Sequence, residues 1–252
     1  MKSLLFLIAS AALAFAQAPP AKKAAAPPAK TGAPAAKTGA APAKSASSGS
    51  SRLLNPAAFK ATAPPVYRAK FTTTKGDFVV EVTREWAPIG ADRFYNLVRG
   101  GFFTNAAFFR VLPGFVVQFG MNANPAVQQA WEKANLKDEP VKHSNTKGTL
   151  TFAKSQLPNS RTTQLFINLG NNTQLDSDGF SAFGAVTEGM DVVGSLYSGY
   201  GESASNQQDK ISQEGKAFLD RNYPKLDSIK SATIIFPEPA AAPAKKASAP
   251  AA

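Results

Sequence analysis

Between residues 63 and 236 the hydrophobic and polar positions fall into short runs punctuated by Gly-rich turns, a pattern of β-strands rather than of long helices. The first two runs, 66–72 and 77–83, are joined by Thr73-Thr74-Lys75-Gly76, with glycine where a tight turn needs positive φ. They form a predicted hairpin. Further strands are expected at 107–112 and 115–120 around Pro113-Gly114, then at 148–153, 163–168, 180–186 and 232–236. A helical period intervenes after Pro88, where Phe94, Leu97 and Val98 share one face and Gly100-Gly101 close the segment. A short helix is expected at 190–196 and a further helix at 210–222. Eight strands with two to three helices suit a mainly β fold, a closed eight-stranded antiparallel barrel that leaves no sheet edge bare, with a two-sheet sandwich as the alternative.

The two ends are unlike this middle. Residues 1–16 read as Lys2, an apolar run over 4–13 and then Ala14-Phe15-Ala16, the layout of a signal peptide cleaved near Ala16. The apolar stretch falls short of the roughly 20 residues that a membrane-spanning helix needs. Residues 17–62 and 237–252 are dominated by Ala, Pro, Lys, Gly and Ser and are expected to be a disordered linker and tail, flanking one domain at 63–236. The chain is then exported, periplasmic or secreted.

Charge follows the same division. Of the formal net charge of +11, seven basic residues lie in 17–62; setting these aside with Lys2 and the tail's net +1 leaves +2 for the rest. The basic arms suit weak contact with acidic envelope polymers, and the nearly neutral domain implies no specific nucleic-acid partner.

Most catalytic devices lack their parts. There is no cysteine, and the one histidine, His143, sits among Lys142, Ser144 and Asn145 in a polar stretch better suited to a turn than to a catalytic triad. The acidic groupings Asp138-Glu139 and Asp176-Ser177-Asp178 lack the spacing of a metal loop, and no phosphate-cradling glycine motif occurs, so neither a metal nor a cofactor is expected.

What remains is an arginine in an aromatic neighbourhood: Phe108-Phe109-Arg110-Val111-Leu112-Pro113-Gly114-Phe115-Val116-Val117-Gln118. This block resembles the signature F-x-R-[VI]-[IL]-x-G-F-x-x-Q of the cyclophilins. Thr162 to Asn168 and Leu175 with 179–186 resemble the family's later blocks, in the family's order. The resemblance spans about residues 67–236 and implies a cyclophilin-like barrel and peptidyl-prolyl cis/trans isomerisation. Carried over residue by residue, it makes Arg110 and Gln118 the catalytic pair and Phe115, Val116, Ala153, Gln164, Phe166, Leu175 and Phe180 the substrate-binding residues. The partners it implies are proline-containing unfolded or flexible polypeptides and a cyclosporin-type ligand, bound by a monomer. The sequence departs from the better-known pattern at Phe109 and Phe180, where histidines are usual, at Gln174, where a tryptophan can stand, and at 152–159, which is one residue longer. A rival reading keeps the pocket but not the turnover, as a proline-peptide-binding or holdase module.

Overall fold

The structure, a computed structural model, describes residues 51–236; the expected signal peptide, most of the linker and the C-terminal tail lie outside the described residues. Eight strands form one sheet: β1 (Val66–Thr73), β2 (Asp77–Thr83), β3 (Arg110–Leu112), β4 (Val116–Phe119), β5 (Thr149–Phe152), β6 (Leu165–Asn168), β7 (Ala182–Glu188) and β8 (Ile229–Ile235). Their order across the sheet is β3-β4-β6-β5-β7-β2-β1-β8, and every ladder is antiparallel.

The barrel differs from the expected closed form at one seam. The two edge strands, β3 and β8, share no ladder; the edges meet through an isolated bridge between Ala107 and Ser228. Around it the N–H groups of Asn105 and Phe108 donate to the carbonyls of Ile229 and Asp227, and the N–H of Ile229 donates to Ala106. β3 is only three residues long, so the chain ahead of it makes the closing contacts. The sheet therefore curls into a barrel without a continuous ring of strand pairing.

Inside the curl sits an aromatic core. Phe71 and Phe78, directly opposed in the β1–β2 register, stack with ring centroids 4.9 Å apart. Phe94, Phe103, Phe108 and Phe119 pack around them, all fully buried. Each such ring contributes roughly 1.5–3 kcal/mol by leaving water, and the offset and edge contacts add directionality. Phe94 belongs to helix α1 (Pro88–Arg99), which lays the expected face of Phe94, Leu97 and Val98 onto this core.

Helices are more numerous than the two or three expected. Helix α2 (Pro125–Trp131) lies in a stretch that reads as polar; the Asn124 side chain accepts from the N–H of Ala126, Pro125 opens the first turn, and Val127 and Trp131 are buried four residues apart. A short helix α3 (Gln174–Ser177) precedes β7, and α4 (Met190–Gly194) follows it. The helix expected at 210–222 is two helices, α5 (Gln208–Glu214) and α6 (Lys216–Asn222). Gly215 breaks it at φ +60°, and a Cβ there would lie 2.3 Å from the carbonyl oxygen of Ala123. Residues 51–62, assigned above to the linker, pack on the domain. The Trp131 indole donates to the carbonyl of Leu53 at 2.8 Å, and Asn96 exchanges two hydrogen bonds with the backbone of Ala61.

Candidate active site

The strand period of two divides β3, β4 and β6 between two environments. Val111, Val117, Phe119, Leu165 and Ile167 face the aromatic core. Arg110, Gln118, Val116 and Phe166 point the other way, to the outer face of the sheet. In register, Arg110 stands opposite Gln118, and Gln118 opposite Phe166, so one row across three strands carries a cation, an amide and an aromatic ring. The turn Leu112-Pro113-Gly114-Phe115 fixes this register: the N–H of Phe115 donates to Leu112, and Gly114 supplies φ +74°.

A pocket of about 580 Å³ opens on this row. It is lined by Arg110, Phe115, Val116, Gln118, Ala153, Phe166, Leu175 and Phe180, eight of the nine residues named from the sequence. Its apolar part is a separate small cluster in which Val116, Phe166 and Leu175 are buried, and Phe115, Ala153 and Phe180 pack over them. Phe180 meets Phe166 edge to face at 5.7 Å, and the Lys154 ammonium lies over the face of Phe180 at 5.4 Å. The ninth residue, Gln164, stands behind the wall: its carbonyl accepts from the Gln118 amide at 2.9 Å.

Arg110 is the charged group of the pocket. Its side chain is only 7% exposed and lies over the edge of the apolar cluster, with its guanidinium carbon 5.7 Å from the centre of the Phe115 ring. It donates to the Gln118 carbonyl at 3.4 Å and to the carboxylate of Glu202. A guanidinium this buried needs such partners, because an unpaired charge away from water is costly.

The pocket also holds residues outside the nine named from the sequence. Glu202, Ser205, Asn206 and Gln208 form one wall, and Lys154, Ser155, Gln156 and Asp178 also belong to the lining. Phe109, where the family pattern has histidine, is fully buried beneath Ala204, Ile211 and Leu219, so its apolar character belongs to the docking of α5 and α6. The lengthened stretch after β5 folds outward. The Ser160 hydroxyl accepts from the N–H of Ser155 and donates to Leu157, while Asn159 and Asp138 exchange hydrogen bonds. Its first residues still line the pocket, and the N–H of Ala153 remains tied to the Gln164 carbonyl. His143 stacks on Trp86 with ring centroids 3.7 Å apart, outside the pocket lining.

Comparison with known proteins identifies the family. Residues 68–216 match the family model described as cyclophilin type peptidyl-prolyl cis-trans isomerase/CLD. The chain belongs to that family. It is 37% identical over 131 residues to peptidyl-prolyl cis-trans isomerase B of Escherichia coli (strain K12), an alignment covering 49% of this chain and 79% of that protein. It is 36% identical over 126 residues to a peptidyl-prolyl cis-trans isomerase of Acinetobacter baylyi, covering 48% of this chain and 66% of the other. Among solved structures, a cyclophilin type isomerase of Cryptosporidium parvum aligns with a TM-score of 0.49 at 18% identity, covering 68% of this chain and 99% of that one.

Proposed function

We propose that this isomerase acts on Xaa-Pro bonds of exported polypeptides by stabilising the twisted amide with Arg110. Rotation about the peptide bond is slow because amide resonance sets a barrier of about 20 kcal/mol, while the cis and trans forms differ by only about 1 kcal/mol. No covalent bond has to be made or broken. In the twisted state the proline nitrogen recovers its lone pair and can accept a hydrogen bond that the planar amide cannot. A donor placed there binds the transition state better than either ground state.

The observation that carries this reading is the placement of the Arg110 guanidinium at the edge of the Val116, Phe166 and Leu175 cluster. The apolar walls suit a proline ring, which has no N–H to satisfy. Gln118 holds one side of the guanidinium and orients it. Arginine stays charged throughout the ordinary pH range, so the device needs no proton transfer.

The signal-peptide pattern at the N-terminus supports the periplasm or the medium as the site of action, and proteins folding there as substrates whose proline steps take tens of seconds or longer uncatalysed. The same pocket would accept a cyclosporin-type ligand. The direct test is turnover of a short Ala-Pro peptide, followed by exchange spectroscopy. Arg110→Ala should lose the rate enhancement while retaining the fold. Peptide binding without turnover by the unaltered protein would favour the holdase reading instead.

A further inference from the structure

The wall that contributes Glu202 and Gln208 grips the arginine device at both ends. Arg110 donates to Glu202 on one side. On the other a chain of amides runs from Arg110 to Gln118 (3.4 Å), from Gln118 to Gln164 (2.9 Å) and from Gln164 to Gln208 (2.8 Å). Arginine can only donate, and this sets the sense of every later link. Gln118 must turn its carbonyl to Arg110 and its NH2 to Gln164, which in turn presents its NH2 to Gln208. The circuit begins and ends on the same short segment, residues 202–208.

That segment is built to be stationary. The Glu202 carbonyl accepts from the Ser205 hydroxyl and from the N–H of Asn206, both at 2.9 Å. Ala204 is fully buried against the cluster of Phe109, Met121, Ile211 and Leu219. Phe109 is the immediate neighbour of Arg110, so the surface that docks the segment and the strand that carries the arginine are the same piece of chain.

We propose that Glu202 and Gln208 are positioning residues for isomerisation: together they clamp the Arg110–Gln118–Gln164 chain and fix the guanidinium in the orientation that meets the twisted amide. The inference rests on the role given to Arg110 above and extends it to a wall of the pocket that the sequence motifs do not contain. The carboxylate restricts rotation of the guanidinium before substrate arrives, and a donor fixed in advance loses little on reaching the transition state.

The test compares the full chain with Glu202→Gln and Gln208→Ala, with Arg110→Ala measured alongside. The catalytic constant and KM for an Ala-Pro peptide are obtained separately by exchange spectroscopy. The Nε–H resonance of Arg110 and the melting temperature are followed in parallel. Both positioning variants should melt close to the parent. Glu202→Gln should lower kcat on the order of tenfold with KM little changed, since misplacing a reacting group costs rate rather than binding. The Arg110 Nε–H line should shift and broaden as the guanidinium gains freedom. Gln208→Ala should move the same readouts in the same direction by less.

An unchanged or raised kcat in Glu202→Gln overturns the inference, because the carboxylate would then merely cover or compete for the arginine. A higher KM at unchanged kcat in both variants also overturns it, reducing the wall to a substrate contact. If Arg110→Ala loses turnover while both wall variants keep theirs, this inference alone falls. If Arg110→Ala keeps full turnover, the mechanism falls first and the clamp with it.

Discussion

Arg110 and Gln118 face each other directly across the β3–β4 ladder, and the same register sets Phe166 beside Gln118 on β6. The eight-residue interval between arginine and glutamine is thus the path of a tight hairpin, out along β3, around Pro113-Gly114 and back along β4. A one-residue change in that turn would send one of the two side chains into the aromatic core.

Phe180 closes the apolar end of the pocket through its edge-to-face contact with Phe166. It is only half-buried, so Phe180→Ala should fold with little loss of stability. Removing this apolar wall from the proline site should weaken Ala-Pro peptide affinity roughly two- to tenfold, as a rise in KM, because less apolar surface is then covered on binding. Unaltered affinity in a titration would remove Phe180 from the binding wall.

Gly120 ends β4 at φ +101°, and a Cβ there would lie 2.4 Å from the carbonyl oxygen of Thr163 and 2.9 Å from the Cα of Gln164. Gly120→Ala should cost about 1–3 kcal/mol in backbone strain alone. Thermal denaturation should show a lower Tm, and turnover should fall as well, because the displaced backbone carries Gln164. An alanine variant with the parent's Tm would contradict the close approach of these strands.

Asp176, next to the pocket residue Leu175, accepts from the Ser144 hydroxyl and from the backbone and side-chain amides of Asn145. Burial is the largest single influence and pushes its carboxyl up. The bonds from Ser144 and Asn145 and the nearby His143 together outweigh burial, and the group sits below its ordinary value of 3.8. A carboxyl with a depressed folded-state pKa stabilises the fold above its unfolded pKa and loses that contribution as pH falls through the folded value. The parent should therefore shed stability below about pH 4. Asp176→Asn should be less stable at pH 7 and show a shallower acid limb in denaturation curves, and an identical acid limb would contradict this role.

The hairpin and the helix after Pro88 were legible because each is fixed by local chain geometry, whereas the nine pocket residues were named through the resemblance to the cyclophilins, and eight of them line the pocket. Turns at Gly76 and Gly114 require positive φ, and the block from Phe108 to Gln118 carries its spacing wherever it occurs. Glu202 and Gln208 were not legible. They lie in a polar, Gly- and Ser-rich stretch with no hydrophobic period, and only the docking of Ala204 against Phe109 brings them to the arginine. Helix α2 was missed although Asn124-Pro125 followed by Val127 and Trp131 gives a cap, a first-turn proline and an apolar face. The seam between the barrel edges rests on backbone pairing near Ala107 and Ser228, which side-chain patterning does not report.

The most direct test of the account is the rate of cis/trans exchange of an Ala-Pro peptide with the parent and with Arg110→Ala at matched concentration, with Tm as the control for folding. The account predicts a loss on the order of a hundredfold in kcat, comparable to removing one preorganised donor from a transition state, with peptide binding largely kept by the Val116, Phe166 and Leu175 pocket. Equal exchange rates for the two folded proteins would contradict it.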